Sequence, residues 1–220
     1  IDKKWEKKKY EGTELSGKTL GVIGCGRIGR RVAHIAKHGL DMNVIGFDIF
    51  PIKEYGIYFV SMDEILEKSD YVTLHAPKQK KAIIGEEEIK KMKKTAYLID
   101  TSRGGNVDEE ALYDALKEKR IAGAAFDVYT KEAKEGQHFE NKLFELENFI
   151  GTSHLGASTK EGQSKTAVEM ADVIINFLKE GDWTNAINIG EEIETEKKPT
   201  YNLFVTHANV PGMFGKIADT

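Results

Sequence analysis

Six short apolar runs recur along the chain with helix-like stretches between them, and this alternation constrains the fold more than any other feature. The runs are TLGVIG, NVIGFD, YVTLH, AYLIDTS, AGAAFDV and NFIGTSH. Strands that alternate with helices are typical of βαβ units, in which helices cover both faces of a parallel sheet. The sequence therefore predicts an α/β fold built on a doubly wound parallel sheet.

Composition excludes several classes of protein. Cys25 is the single cysteine among 220 residues, which excludes an intrachain disulfide framework and fits a reducing compartment, so we predict a cytoplasmic protein. The formal net charge of −4 gives no general attraction for nucleic acid or for an anionic membrane. No apolar run approaches the roughly 18 residues of a membrane-spanning helix. We expect neither a nucleic-acid nor a membrane partner.

Helix signals and one polar stretch divide the chain. Ser158 and Glu161 have capping-box spacing, and the apolar positions that follow predict a long helix over residues 158–180. Residues 191–199 are polar and unpatterned, as in a linker. We expect a sheet domain over residues 1–188, a linker over 189–200 and the start of a smaller α+β unit over 201–220. An earlier helix is predicted from an apolar face formed by Ile28, Val32, Ala33 and Ala36.

Three glycines form a G-x-G-x-x-G pattern between the first predicted strand and the helix after it. In such a turn Gly24 would permit the sharp bend, Gly26 would let backbone approach a pyrophosphate, and Gly29 would let helix and strand pack closely. A plain glycine-rich connection is the alternative for this motif by itself. Asp48 ends the next strand, where a carboxylate can bind ribose hydroxyls and repel a 2′-phosphate. Together these residues predict a Rossmann-type fold that binds NAD rather than NADP.

A second glycine pattern competes with the first. Residues 12–19 match G-x-x-x-x-G-K-[ST], the phosphate-binding loop of nucleoside triphosphatases. That loop needs a strand before it and a helix that begins at the lysine, so that the helix N-terminus can hold the phosphates. Here a charged segment precedes the loop and the apolar run TLGVIG follows it. We therefore expect no nucleoside triphosphate site.

Three polar side chains follow predicted strands, where ligands of such sheets bind. They are Arg103, Glu132 and His154. Histidine can take and return a proton near neutral pH, and a guanidinium can hold a carboxylate through two parallel hydrogen bonds. Hydride transfer from a 2-hydroxy acid needs both functions. On the residues alone, a solvated arginine, a solvated glutamate and a structural histidine remain the alternatives.

The other histidines carry less information. His34 and His38 are spaced i,i+4 on one helix and could chelate a metal, but no acidic third ligand accompanies them. We interpret them as helix-face residues and predict no metal site. His75 follows the third apolar run and is expected to shape the cofactor pocket.

Five blocks in the same order resemble the D-isomer-specific 2-hydroxyacid dehydrogenases, most closely their D-3-phosphoglycerate dehydrogenase branch. The blocks are GTELSGKTLGVIGCGRIG, SDYVTLHAP, LIDTSRGGNVDEEAL, AGAAFDVYTKE and SHLGAST. Residues 201–220 resemble the opening strand and helix of an ACT regulatory domain. The resemblance implies NAD-dependent oxidation of a D-2-hydroxy acid, in the first place 3-phosphoglycerate for serine biosynthesis. It also implies a homo-oligomer, dimer or tetramer, and an amino-acid effector at the ACT-like unit.

Residue roles follow from the same resemblance. Arg103 would fix the substrate carboxylate and carbonyl, His154 would be the acid–base group, and Glu132 would pair with the imidazole. Cofactor contacts would come from Gly24, Gly26, Arg27, Ile28, Gly29, Asp48, His75, Ala76, Pro77, Thr101, Ser102, Asp127 and Gly156. Two other functions stay open: a dehydrogenase of the glyoxylate, hydroxypyruvate or lactate type, and a non-enzymatic NAD-sensing protein on the same fold.

The chain also departs from the family pattern. Ser153 and Ala133 stand where the family usually has proline, and Asp100 stands where asparagine is common. The segment after Pro77 is shorter than its family equivalent. The residues that build most of the family's substrate lobe have no counterpart in this sequence, so we expect the chain to hold cofactor better than it turns over substrate.

Overall fold

The six apolar runs form strands of a single parallel sheet. The structure is a computed structural model that describes residues 11–51 and 56–186, and the chain divides into two compact units, Ile1–Gly162 and Gln163–Thr220. The strands are β1 Thr19–Ile23, β2 Asn43–Phe47, β3 Tyr58–Phe59, β4 Tyr71–Leu74, β5 Tyr97–Asp100, β6 Gly123–Phe126 and β7 Phe149–Gly151. The helices are α1 Arg27–Gly39, α2 Met62–Lys68, α3 Glu86–Lys91, α4 Glu109–Lys117 and α5 Lys160–Glu180, and a 3-10 helix spans Lys142–Glu145.

The sheet has the order β3-β2-β1-β4-β5-β6-β7, and every neighbouring pair is parallel. From β1 the chain moves outward to β2 and β3, and then returns to β4 on the other side of β1. The carboxyl ends of β1 and β4 therefore flank the point where the order reverses, which is where open α/β sheets bind ligands. The predicted α/β doubly wound fold is confirmed.

Strand β1 is buried on both faces, which explains its continuous apolar character. Leu20 and Val22 pack with Ala33 and Ala36 of α1 on one face. Ile23 belongs to the larger cluster on the opposite face, which includes apolar residues of α2, α3 and α4. Helices on both sides exclude water from the strand, so polar alternation is absent.

Strand β3 and helix α2 of the sheet domain were not predicted. Strand β3 has two residues, one of which, Tyr58, is 72% exposed, so it produces no apolar run. Helix α2 has seven residues, too few for a periodic apolar face. Ser61 and Glu64 have the S-x-x-E spacing of a capping box, which is a signal for the start of this helix. The structure forms the capping box: the Ser61 hydroxyl accepts from the Glu64 N–H, and the Glu64 side chain accepts from the Ser61 N–H.

Two helix details were predicted wrongly. Ile28 is 67% exposed, because the buried positions of α1 are Gly29, Ala33 and Ala36, and Ile28 lies outside that stripe. The cap of α5 is also shifted: the Thr159 hydroxyl accepts from the Gly162 N–H at 3.0 Å. The Ser158 N–H instead donates to the Leu155 carbonyl in the preceding turn, so the helix begins later than the predicted capping box.

The competing phosphate-loop pattern has the wrong structural context, as expected. Lys18 is followed directly by β1, and no helix begins there. Within the described ranges, no helix has both the length and the apolar character to cross a bilayer. The predicted linker over residues 189–200 and the ACT-like unit over 201–220 lie outside the described residues.

Candidate nucleotide-binding and active site

The glycine turn between β1 and α1 is shaped by close backbone approaches. Gly24 has φ of +87°, and a Cβ atom there would lie 2.7 Å from the backbone nitrogen of Ala76. A Cβ at Gly29 would lie 2.0 Å from the Gly24 carbonyl oxygen. A Cβ at Gly26 would meet no atom within 4 Å. The turn is therefore packed tightly at its first and third glycines and open at its second.

The N-terminus of α1 has the electrostatic character of an anion site. Gly26 is the N-cap, no side chain caps the helix, and no acidic residue lies in the first turn. The first backbone N–H groups of the helix are therefore left without a side-chain acceptor, and the helix dipole adds positive potential there. Arg27 and Ile28 begin the helix, and both are exposed. These features suit a pyrophosphate.

Asp48 follows β2 and is fastened beside the glycine turn. Its Oδ2 accepts from the Cys25 N–H at 2.6 Å, and its Oδ1 accepts from the Phe50 N–H at 2.9 Å. Each carboxylate oxygen keeps a second lone pair that can accept from a ribose hydroxyl. Burial, and then the charge of Asp48, raise the pKa of the Cys25 thiol to about 12, so this cysteine stays protonated and unreactive.

The loop after β4 forms a wall next to this turn. His75 lies at its start, with Nε2 3.1 Å from the Thr73 hydroxyl, and burial lowers the pKa of His75 to about 4. The imidazole is therefore neutral near pH 7, which agrees with a shape-determining role and not with acid–base chemistry. Ala76 contacts Gly24 through its backbone nitrogen, and Pro77 follows on the exposed side.

The loop after β5 combines a buried polar group with an exposed cation. Asp100 is 1% exposed, and its Oδ1 accepts from the Ser102 N–H at 2.8 Å and the Ser102 hydroxyl at 2.6 Å. Burial raises the pKa of Asp100 to about 6, although the hydrogen bonds from Ser102 act in the opposite direction. Thr101 and Arg103 are exposed, and Arg103 Nη1 donates to the Ser102 carbonyl at 2.7 Å.

The Arg103 loop lies directly against the loop after β6. A Cβ at Gly104 would lie 1.7 Å from the Tyr129 carbonyl oxygen, so only glycine permits this approach. Glu109, in the first turn of α4, accepts from the Thr130 N–H at 2.5 Å and from the Asn141 side chain at 2.7 Å. The structure therefore joins the segment that carries Arg103 to the segment that carries Glu132.

Glu132 and His154 form a hydrogen-bonded pair across 22 residues of sequence. His154 Nδ1 lies 2.9 Å from Glu132 Oε2, and Glu132 Oε1 accepts from the Tyr129 N–H at 3.2 Å. Burial acts to raise the pKa of Glu132, but the hydrogen bonds from His154 and Tyr129 and the His154 charge lower it overall. His154 has φ of +56°, a sparsely populated conformation for histidine, and its side chain is 47% exposed.

Asp127 fixes the loop that carries His154. Its Oδ1 accepts from the Thr152 hydroxyl at 2.5 Å and from the Leu155 N–H at 2.8 Å, so it holds the backbone on both sides of the histidine. A Cβ at Gly156 would lie 3.8 Å from Asp127 Oδ2, an ordinary contact distance. Thr152 was not singled out in the sequence, because a threonine after an apolar run carries no distinctive signal.

Asn106 is a second residue that sequence reasoning missed. It is fully buried, and its amide lies between the loop after β4 and the loop after β5. In the sequence it is one asparagine inside the RGGNVDEEAL block, and no periodicity marks it as buried. No cluster of three or more potential metal ligands occurs among residues 11–51 and 56–186.

Comparison with known proteins identifies the family of the chain. The sequence model described as D-isomer specific 2-hydroxyacid dehydrogenase, NAD binding domain, matches residues 1–156. The chain belongs to this family. A D-3-phosphoglycerate dehydrogenase of Archaeoglobus fulgidus is 43% identical over 192 residues, which cover 84% of this chain and 36% of that protein. The chain thus spans about a third of the length of this curated relative.

Solved structures of 2-hydroxyacid dehydrogenases share the fold. The NAD-complexed enzyme of Lactobacillus delbrueckii ssp. bulgaricus is 29% identical with a TM-score of 0.73, over 81% of this chain and 58% of that one. A D-lactate dehydrogenase from Aquifex aeolicus, complexed with NAD and lactic acid, is 34% identical with a TM-score of 0.71, over 82% and 59%.

The residues of this family member fit NAD. The open space at Gly26 and the uncapped amides of α1 would suit a pyrophosphate, and the fixed carboxylate of Asp48 would suit an adenosine ribose. NAD is the cofactor of the domain.

Proposed function

We propose that this chain is the cofactor-binding part of a D-3-phosphoglycerate dehydrogenase, which oxidises 3-phosphoglycerate to 3-phosphohydroxypyruvate. The observation that carries the proposal is the 2.9 Å contact between His154 Nδ1 and Glu132 Oε2, at the edge of the sheet where the glycine turn lies. The substrate is supported by the Archaeoglobus fulgidus relative, which is 43% identical and bears that name.

The carboxylate of Glu132 sets the chemistry of the imidazole. Because it accepts a hydrogen bond at Nδ1, it favours the tautomer with the proton on Nδ1 and the lone pair on Nε2. Nε2 would then take the proton of the substrate hydroxyl, while the hydride leaves the carbon that bears this hydroxyl. Bound NAD supplies the hydride acceptor. The negative charge of Glu132 stabilises the imidazolium that results, and the reverse reaction returns the proton to the carbonyl oxygen.

Arg103 would hold the substrate. Its guanidinium is exposed on a loop flanked by glycines, and it can grip a carboxylate with two parallel hydrogen bonds. The contact between Gly104 and the Tyr129 carbonyl keeps this loop in register with the loop of Glu132. A carboxylate bound at Arg103 would therefore be held at a fixed distance from the proton acceptor.

The alternative of a non-enzymatic NAD sensor is less well supported. Cofactor sensing requires the glycine turn and Asp48, but it has no need for a carboxylate that orients an exposed imidazole. The alternative of a different 2-hydroxy acid can be distinguished by comparing the activity on several substrates. A site that binds a phosphate disfavours substrates without one, since its charged groups are then left unpaired.

The test is a substrate panel with the complete gene product that carries this chain. NADH-dependent reduction of 3-phosphohydroxypyruvate should exceed that of pyruvate, glyoxylate and hydroxypyruvate by at least about 100-fold in kcat/KM. His154→Asn should abolish the reaction. His138→Asn is the matched control, since His138 also pairs with a glutamate, Glu140 at 3.0 Å, but is far more exposed. A preference for another 2-oxo acid would contradict the assignment of 3-phosphoglycerate as the substrate. Full turnover by His154→Asn would refute the mechanism.

Assembly and regulation form part of the same proposal. The family resemblance supports a cytoplasmic homo-oligomer with an amino-acid effector bound by residues 201–220, which lie outside the described residues. Light scattering with and without serine would test both points: a monomer that is unaffected by amino acids would contradict them.

A further inference from the structure

Asn106 lies at the centre of a buried polar network that links two loops of the proposed site. The residue is 0% exposed. Its Nδ2 lies 3.1 Å from the Ala76 carbonyl oxygen, 3.3 Å from the Pro77 carbonyl oxygen and 3.0 Å from the Ser102 hydroxyl. Its Oδ1 accepts from the Gln79 N–H at 3.1 Å. The amide thus bonds to the backbone of three of the four residues in the segment 76–79.

The network continues to the end of β5. The Ser102 hydroxyl donates to Asp100 Oδ1 at 2.6 Å, so its oxygen lone pair is available to accept from Asn106. The hydrogen bonds therefore run in one direction, from the amide of Asn106 through the hydroxyl of Ser102 to the carboxylate of Asp100. Such a chain is strengthened when its members are buried, and each member fixes the orientation of the next.

The backbone of Asn106 supports the same arrangement. Its N–H donates to the Arg103 carbonyl at 3.2 Å, which closes the turn that presents the guanidinium. Its carbonyl accepts from the Ile83 N–H at 2.7 Å and the Ile84 N–H at 3.1 Å. One residue is thus bonded to the loop after β4, to the Arg103 turn and to the segment that leads into α3.

The segment held by the side chain reaches the glycine turn. Ala76, one of its acceptors, has its backbone nitrogen only 2.7 Å from the position of a Cβ on Gly24. A shift of the Ala76 backbone would therefore press on the turn proposed to hold the pyrophosphate. On the other side, a shift of Ser102 would move the carbonyl to which Arg103 Nη1 donates.

We propose that Asn106 is a positioning residue, which sets the distance between the cofactor-side wall at Ala76–Pro77 and the substrate-side turn of Arg103. The inference rests on the proposed function for the role of Arg103, but not for the role of the glycine turn. Asn106 touches neither cofactor nor substrate in this assignment, and acts through the backbone of residues 76–79 and through Ser102.

The experiment compares Asn106→Ala with Asn148→Ala. Asn148 is the matched control, because its Nδ2 also donates to two backbone carbonyls, those of Leu116 at 3.1 Å and Ala122 at 3.4 Å. It directly precedes β7 and so lies at the amino end of a strand, away from the proposed site. Three readouts are needed: the NADH dissociation constant of this chain, the kcat and KM of the complete gene product, and hydrogen exchange at the Gln79 amide.

We expect Asn106→Ala to raise both the NADH dissociation constant and the KM for the oxo acid by roughly 5- to 30-fold, since buried acceptors lose their donor. The Gln79 amide should exchange faster. Asn148→Ala should lose stability while both binding constants stay within about twofold of the wild type. If Asn106→Ala does not fold, Asn106→Ser, which keeps one donor, should show the same effects at smaller size.

The outcomes separate the two proposals. Wild-type affinity and KM in a folded Asn106 variant would overturn the positioning role and leave the proposed function intact. A wild-type protein that binds NADH but reduces no 2-oxo acid would overturn the proposed function. In that case a raised NADH dissociation constant in Asn106→Ala would still support the cofactor half of the inference, and an unchanged one would overturn it.

Discussion

Among the side chains of the proposed site, Glu132 is the one whose charge has the clearest expected consequence. Its pKa is held below the ordinary value by two hydrogen bonds and by the charge of the imidazole, despite the opposing effect of burial. The group is therefore ionised throughout the neutral range. An ionised acceptor at Nδ1 both orients the ring and stabilises its protonated form, which are separate contributions that a substitution can divide.

Glu132→Gln should divide them. The amide oxygen can still accept from His154 Nδ1, so the ring stays oriented, but the negative charge is gone. We expect kcat for 3-phosphohydroxypyruvate reduction to fall by about 100-fold, within the range of a general acid–base contribution, with the NADH dissociation constant unchanged. Steady-state kinetics and a fluorescence titration measure the two quantities. Glu140→Gln, at the exposed His138 pair, is the control, and equal kcat values for both variants would contradict the role of the charge.

Asp100 provides a prediction about pH and stability. Its pKa is about 6 in the folded chain because of burial, compared with about 4 when unfolded. Well below pH 4 the carboxyl is protonated in both states, and the two pKa values then make no difference to stability. As the pH rises through 6, the folded state must ionise a buried group, and the stability lost approaches about 3 kcal/mol relative to a neutral side chain.

Asp100→Asn should remove this loss, because an amide oxygen can still accept from Ser102 and never ionises. The difference in unfolding free energy between variant and wild type should move in favour of the variant by about 2 to 3 kcal/mol from pH 4 to pH 7.5. Urea unfolding at four pH values measures it. Asp114→Asn, at an exposed position of α4, is the control variant. A difference that does not change with pH for Asp100→Asn would show that folding does not raise the pKa of Asp100.

At the scale of elements, the turn between β1 and α1 separates folding from binding. Gly29 is required by packing, since a Cβ would lie 2.0 Å from the Gly24 carbonyl oxygen. Gly26 has φ of −68° and open space around it, so the folded chain tolerates a methyl group there. In the proposed site, the methyl group would fill space that the pyrophosphate would occupy.

Paired alanine substitutions should show this separation. Gly29→Ala should destabilise the chain by about 2 to 4 kcal/mol, as expected for a backbone clash in a packed turn. The free energy of unfolding of Gly26→Ala should lie within about 0.5 kcal/mol of the wild-type value. This variant should nevertheless bind NADH at least about tenfold more weakly, because the methyl group would hinder the phosphates. Urea unfolding and calorimetry test both. Wild-type NADH affinity in Gly26→Ala would place the phosphates elsewhere.

Elements were predictable from sequence where burial imposes a long apolar signal, and not otherwise. Strand β1 is buried on both faces and was visible as TLGVIG, whereas the two-residue β3 has no such signal. In the site, residue types and strand ends indicated Glu132 and His154, but their contact depends on how the loops after β6 and β7 fold. Asn106 was missed because its burial follows from tertiary packing of two loops, which no local pattern encodes.

At the scale of the whole molecule, the parallel sheet brings the residues of the proposed site together at the carboxyl ends of its strands. Every strand from β1 to β7 except the edge strand β3 is followed at its carboxyl end by a residue of the site. The residues are Gly24 after β1, Asp48 after β2, His75 after β4, Arg103 after β5, Asp127 after β6 and His154 after β7. Because all strands are parallel, these carboxyl ends lie on the same side of the sheet, which is where open α/β sheets bind ligands.

The chain should therefore bind NAD by itself, since the glycine turn, Asp48 and the wall at Ala76 all belong to the unit Ile1–Gly162. A ligand that binds only the folded state stabilises it by about 2.7 kcal/mol at 100 times its dissociation constant, so NADH should raise the Tm of this 220-residue chain by several degrees. NADPH should raise it less, because Asp48 repels a 2′-phosphate. Scanning calorimetry with each nucleotide, and with Gly26→Ala as the non-binding control, measures the shift. An equal shift with NADPH would contradict the role of Asp48 in selecting NADH over NADPH. An unchanged Tm in millimolar NADH would contradict the assignment of the glycine turn.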